Sequence, residues 1–262
     1  MSEPVLYHGE PNGPSLSVLA ALHESGLGYE CRSINLLAAE RHIIPGVEEG
    51  LARDMAVEGE GPVLLIEGEA MSEAVFLAQF FDEAAGGCGL QPADPYDRWQ
   101  MMMWCRQVTE RLAPACAYLG TFRSAQQRLA AMDDRRFAEM MGPVRSEDLK
   151  ARWAELREGR IDEAKQTDSK DKVAQFAQRI EDQLADGREW LMGSFSIADL
   201  ETFAWLRSMR QIEREAFAAR ERCLAWMERV DARESVQWAL AQATTEDPAN
   251  RFAPGPEINR WG

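Results

Sequence analysis

Five cysteines and three histidines are the side chains of this 262-residue sequence best suited to act as nucleophiles or metal ligands, and their spacing points to neither role. Cys31, Cys88, Cys105, Cys116 and Cys223 are odd in number, scattered, and form no C-x-x-C pair, so buried reduced thiols are expected rather than disulfides or zinc. His8, His23 and His42 stand in no H-E-x-x-H pattern, and no metal is expected. Neither a G-x-x-x-x-G-K-S/T loop nor a complete G-x-G-x-x-G occurs, and Gly86, Gly87 and Gly89 read as a turn. Two serines carry more information. Ser15 follows a turn-rich stretch, Glu10 to Pro14, and opens a helix, where a hydroxyl most often caps backbone amides. Ser196 and Asp199 have the spacing of a capping box with the acid at the third helical position, which stabilises a helix start by ~1 kcal/mol. Met101, Met102, Met103, Trp104 and Tyr118 form a stripe flanking a kink expected at Pro114; such a stripe is either core or the wall of a pocket for a large aromatic molecule.

The elements that position these groups change character near Pro95. Before it the periods are mixed; after it everything reads as helix. Pro4 to His8 is a short apolar strand, and Leu16, Leu19, Ala20 and Leu22 recur at helical spacing until Gly26 stops the helix. Tyr29 to Leu36 alternates as a second strand, and a loop with Pro45, Gly46, Gly50, Gly59 and Gly61 leads to Pro62. Val63 to Ile66, a Glu67-Gly68-Glu69 turn and Ala70-Met71 make a hairpin, after which Ser72 opens a helix running through Phe81. The expected organisation is an α/β domain over 1–86, a linker over 87–94, an all-helical bundle over 95–246 and an extended tail over 247–262. Bundle helices are expected near 95–120, 133–155, 168–186, 197–215, 220–231 and 233–243. The alternating charges within 144–172 predict a solvated helix face or a mobile excursion.

Composition narrows the partners. With 29 Lys and Arg against 44 Asp and Glu, the net charge is −15 and no basic cluster is available to displace counterions from a phosphate backbone, so nucleic acid is not an expected partner. A hydrophobic content of 45% excludes a disordered chain. The longest apolar runs fall far short of the ~20 residues of a bilayer span, and residues 1–15 lack the pattern of a secretory signal. A soluble cytoplasmic protein is expected.

The βαβ–ββα order followed by helices resembles the glutathione S-transferases. Gly61-Pro62-Val63-Leu64 with Gly68 and Ser72-Glu73 resembles that family's proline–strand–turn–strand–acid segment. Leu90 to Arg98 is similar to its interdomain linker, and Trp190 to Asp199 resembles the segment that opens its central helix. The resemblance implies a thioredoxin-like N-terminal domain that binds glutathione as co-substrate, and a helical C-terminal bundle that supplies a hydrophobic substrate pocket. A narrower resemblance, carried by Leu6-Tyr7, Ser15-Leu16, His23-Glu24, Gly26, Lys150 to Trp153 and Leu156 to Gly159, is to the fungal-like branch of bacterial β-etherases, which cleave the aryl ether of lignin-derived dimers.

That resemblance implies displacement of a phenolate by a glutathione thiolate. A free thiol titrates near ~8.5, so a hydroxyl or amide donor at a helix start is needed to favour the anion; Ser15 is implied as that donor. His42 is implied as a contact for a glutathione carboxylate, Gly61 as backbone partner of the cysteinyl segment, Pro62 as a cis-proline shaping that backbone, and Glu73 as contact for the γ-glutamyl group. Met101, Trp104 and Tyr118 are the implied substrate wall. Three positions depart from the pattern: Pro14 stands where Asn commonly precedes the serine, Gly61 replaces a Val, and Ala74 replaces a Ser or Thr. Asn12, two positions earlier, is the candidate substitute for the missing donor. The functions implied are a glutathione-dependent β-aryl etherase subunit, acting as homodimer or heterodimer, or a partner subunit or aromatic-ligand carrier that has lost glutathione turnover, or a general detoxifying transferase.

Overall fold

The computed structural model describes residues 3–48, 60–159 and 161–254. Four strands, β1 (Val5–His8), β2 (Glu30–Ser33), β3 (Val63–Ile66) and β4 (Glu69–Met71), form one mixed sheet in the order β2-β1-β3-β4. The central strand β1 is wholly buried, which is why it reads as an apolar run rather than an alternation. Strand β2 runs parallel to it and therefore requires a crossover, which is α1 (Pro14–Ser25). Strand β3 pairs antiparallel with β1, Val5 facing Leu65, and joins β4 through a turn in which Glu67 and Gly68 both take positive φ, 51° and 84°, the twist that suits a two-residue hairpin. The second strand ends at Ser33, short of the expected Leu36, because the chain turns into 3-10 segments at Leu36–Ala38 and Glu40–His42. Helix α2 (Ala74–Ala84) completes this half.

Helix α3 (Pro95–Gln107) opens with Pro95 where no amide partner is lost, and the Asp94 carboxylate accepts from the amides of Tyr96 and Asp97 at 2.8 and 3.1 Å. It runs through a π-helical segment, Val108–Leu112, into α4 (Ala113–Ser124). Pro114 lacks an N–H and its ring displaces the carbonyl four residues back; the wider turn absorbs that mismatch, and it is the form the expected kink takes. A short α5 (Gln126–Ala130) follows. The one helix expected over 133–155 is two, α6 (Asp134–Met141) and α7 (Glu147–Glu158), since Gly142-Pro143 breaks the pattern and Ser146 caps a new start by accepting from the Leu149 amide at 3.2 Å. Then come α8 (Glu163–Gln183), α9 (Ile197–Ile212), α10 (Glu221–Asp231) and α11 (Glu234–Leu240). Among the described residues no helix is long and apolar enough to cross a membrane.

One apolar core runs across both halves, joining Leu6, Leu19, Leu64 and Phe81 to Phe203 and Trp226, and α9 is buried on most of its faces at the centre of the molecule. A second cluster corrects the expectation for 144–172. Helix α7 turns its charges outward but packs Leu149, Trp153 and Leu156 against Leu37 and Leu129, and the Trp153 indole N–H donates to the Glu60 carboxylate at 3.3 Å. The excursion is anchored rather than merely solvated. Trp153→Phe keeps most of the volume but takes a donor from a fully enclosed carboxylate, and an expected loss of about 1–2 kcal/mol would be read from the urea midpoint.

Candidate active site

Ser15 sits in the first turn of α1. Gly13 precedes the helix with φ 51° and ψ −134°, a conformation glycine adopts readily, and its α-carbon lies so close to the Trp205 ring that a β-carbon would come within 3.3 Å. The Ser15 hydroxyl, buried at 1% exposure, accepts from the Gly9 amide at 3.0 Å, which leaves its own hydrogen available to donate. Asn12 is also buried; its Oδ1 accepts from the Ser208 hydroxyl at 2.9 Å, whereas its Nδ2 has no partner among the described residues. An unpaired buried donor costs about 1–3 kcal/mol, and an anionic ligand would satisfy it. Pro14, between them, contributes no donor.

Both groups line one cavity of about 420 Å³. Its other walls are the loop after β2 from Ser33 to Leu37, Glu60, Arg128 of α5, Trp205 of α9 and the C-terminal strap at 244–245 and 251–253. The Trp205 indole N–H donates to Glu201 at 2.9 Å and the Ser17 hydroxyl donates to the other oxygen of that carboxylate at 2.6 Å, so the ring is held from behind. Burial pushes the Glu201 carboxyl above its ordinary range, against these two hydrogen bonds. The strap is fixed at three points: the Thr244 amide and hydroxyl donate to Glu10, the Ala249 carbonyl lies 2.6 Å from the Ser208 hydroxyl and shares its one hydrogen with Asn12 Oδ1, and the Pro254 carbonyl accepts from the Glu60 amide at 3.0 Å. Between the last two, Phe252 is buried against Gly120 of α4, where a β-carbon would overlap its ring. Gly120→Ala is therefore expected to dislodge Phe252, opening the cavity and making the strap several-fold more sensitive to limited proteolysis while the thermal midpoint falls by only a few degrees.

Of the residues singled out in the sequence, Ser15 and Asn12 share this cavity. His42 does not reach it; its Nε2 lies 2.9 Å from Glu60 Oε1, behind the wall that Glu60 forms. Gly61 and Pro62 are buried just ahead of β3, and the Gly61–Pro62 bond, expected to be cis, is trans, as every peptide bond among the described residues is. Trans is the intrinsic preference of an X–Pro bond, and the extended lead into β3 asks for no tight turn there. Glu73 stands at the start of α2 with φ 71°, a conformation that costs a non-glycine residue about 1–3 kcal/mol and marks the position as constrained.

The three residues expected as substrate wall do not line this cavity. Met101 is fully buried in the core, and Trp104 faces a separate surface cleft with Met103 and Arg179, its indole donating to Thr202 at 2.9 Å. Tyr118 exchanges hydrogen bonds with the backbone of Asp162. The stripe on α3 is core on one side and outer surface on the other, and the wall comes from α9 and the strap. Sequence reading missed Trp205, Arg128, Arg251 and Phe252. The available signal was the i, i+4 spacing of Glu201 and Trp205 on a helix recognised as central. No local pattern marks the other three.

None of the chain's own thiols is poised to react. Burial pushes Cys31 and Cys88 up to about 11, Cys223 up to about 12, and Cys105 and Cys116 well above the ordinary thiol range. A thiolate in this cavity would have to come from a bound molecule.

The chain superposes on the crystal structure of the β-etherase LigF from Sphingobium sp. strain SYK-6 with a TM-score of 0.80 and 23% identity, covering 92% of this chain and all of that one. On glutathione transferase F7 from Populus trichocarpa the TM-score is 0.64 with 20% identity over 91% of this chain and 98% of that one. The chain has the glutathione transferase fold. A glutathione transferase from Pseudomonas putida, crystallised with glutathione disulfide, shares this fold at a TM-score of 0.61 and 20% identity, over 92% of this chain and 91% of its own. In sequence, the resemblance to LigF is 24% identity over 259 residues, 94% of this chain and 96% of the relative. No family model matches the chain. Within the fold, the sheet half contributes the N-terminus of α1 and the loop after β2, and the helical half contributes Arg128, Trp205 and the strap, so the cavity is built from both.

Proposed function

We propose that this protein is a glutathione transferase of the β-aryl etherase type, with Ser15 and Asn12 as the donors that favour a bound thiolate. The observation that carries this reading is the convergence of a hydroxyl with a free hydrogen and a buried amide nitrogen without an acceptor on a cavity walled by Trp205 and Phe252. The whole-length likeness to LigF, a protein described as a β-etherase, supports the choice of ether, and the glutathione-derived ligand in the Pseudomonas putida structure supports the choice of thiol. In the reaction, the thiolate sulfur forms a bond to the carbon bearing the aryloxy group, the carbon–oxygen bond breaks, and the electron pair leaves on a phenolate that takes up a proton. Donors at Ser15 and Asn12 lower the cost of the anion.

A second reading is favoured by Pro14 and Ala74, which stand where the etherase pattern has polar side chains: the chain is the supporting subunit of a heterodimer, its own glutathione site decayed. Calorimetric titration with glutathione, beside phenol release from a model β-aryl ether, separates the two. Micromolar to millimolar binding with turnover by the purified chain supports the etherase. No heat and no turnover alone, with activity restored by mixing with a transferase-fold partner, identifies the supporting subunit.

A further inference from the structure

Arg128 and Arg251 reach the same cavity from different parts of the chain, one from α5 and one from the strap, 123 positions apart in sequence. The Arg128 guanidinium donates to the Leu37 carbonyl at 2.8 Å, and among the described residues neither arginine forms an ion pair. The two acids on the cavity wall are already engaged: Glu10 accepts from Thr244, and Glu60 is tied to His42 and Trp153 with Arg41 3.8 Å away. The described lining of the cavity thus combines two arginines that form no ion pair with two carboxylates, Glu10 and Glu60, whose hydrogen bonds go elsewhere, in a chain whose net charge is −15. Both arginines are exposed to solvent along one side; burial of the rest of Arg128 first, and then the charge of Arg251, pull its guanidinium below the ordinary range. A pair of guanidiniums on one cavity wall, neither of them ion-paired among the described residues, suits an anion that arrives with the ligand.

We propose that Arg128 and Arg251 form a carboxylate-binding site at the Ser15 cavity, which selects aromatic ethers bearing a carboxylate. The proposal deepens the etherase reading and rests on it for the word ether; the anion site itself does not. A carboxylate is matched by the planar fork of a guanidinium, and one of the two cations comes from α5 and the other from the strap. Trp205 and Phe252 then cover the aromatic ring while the two arginines hold its charged end. The same chemistry could be supplied by a carboxylate of glutathione, and the test keeps these sources apart.

The probes are phenoxyacetate, its neutral amide phenoxyacetamide, and glutathione, titrated calorimetrically into wild-type protein, R128Q, R251Q and the double variant at two salt concentrations. In wild type, phenoxyacetate is expected to bind about tenfold more tightly than the amide, with the preference falling as salt rises. Each single variant should reduce that preference several-fold and the double variant should abolish it, leaving the amide unchanged within twofold. If the double variant instead loses glutathione affinity and keeps its preference for phenoxyacetate, the site serves the thiol's carboxylate and substrate selection is overturned. Equal binding of acid and amide to wild type, or a preference untouched by both substitutions, overturns the anion site altogether. Phenol release from a neutral β-aryl ether, measured on the same proteins, reports on the etherase reading separately: its absence in wild type sinks that reading while the titrations still decide the anion site.

Discussion

Ser15→Ala is expected to slow glutathione-dependent phenol release at neutral pH by roughly 10- to 100-fold. The hydroxyl accepts from the Gly9 amide and has one hydrogen left to give, so its contribution to a bound thiolate is one hydrogen bond to a charged acceptor. Such a bond is worth about 1.5–3 kcal/mol, and each 1.36 kcal/mol is a tenfold change in rate. The sign with pH is fixed by the same step. A donor favours the anion, so removing it raises the pKa of the bound thiol by about 1–2 units, and the variant should recover part of its rate as pH is raised while the wild type has already reached its plateau. A pH–rate profile of both proteins, with ultraviolet titration of the bound thiolate, checks this. A loss equal at every pH would mean that the hydroxyl only holds the Gly9 loop in place. Asn12→Ala should act in the same direction and by less, because its other end already bonds Ser208 and part of the effect is structural.

Asp199→Ala is expected to be the most damaging single substitution for the fold, at about 3–5 kcal/mol. Its carboxylate is fully enclosed and accepts four hydrogen bonds: from the Leu191 amide at 3.0 Å and the Trp226 indole at 2.8 Å on one oxygen, and from the Ser196 amide at 3.0 Å and hydroxyl at 3.1 Å on the other. The residue thus caps α9 and also ties α10 and the 191–196 segment to it. Alanine leaves four buried donors unpaired and removes the group that orients them, the mechanism behind the largest mutational losses. Chemical denaturation gives the size. The pH dependence gives a second check, because burial pushes this carboxyl up to about 6 despite its four donors. A folded-state pKa above the unfolded one means that the folded protein holds the proton more tightly. The associated stability is full below about pH 4 and is lost as pH rises through 6, by up to about 3 kcal/mol for this one group. Asp199→Asn cannot titrate and should lack that decline, so the difference between the two stability–pH curves isolates Asp199. A parallel pair of curves would refute the assignment.

Several features were legible in the sequence because their causes are local. The strand–helix–strand and hairpin–helix order follows from periodicity and from turn residues such as Glu67-Gly68, and the start of α1 at Pro14-Ser15 follows from backbone chemistry confined to a few residues. The box formed by Ser196 and Asp199 spans three residues and needed no knowledge of its surroundings. Tertiary structure decided which groups face the cavity. Met101 and Trp104 sit on a helix whose stripe is equally consistent with core and with pocket, and only packing against α9 settled that they turn away from Ser15. Trp153 looks like part of a charged surface helix until its neighbours from the loop after β2 are present to bury it. Arg128, Trp205 and Phe252 meet Ser15 across separations of more than one hundred residues, and no period or spacing encodes such a meeting. Local sequence sets which dihedrals and caps are favourable, whereas a cavity is the space left when distant surfaces close on one another, and that depends on the packing of the whole chain.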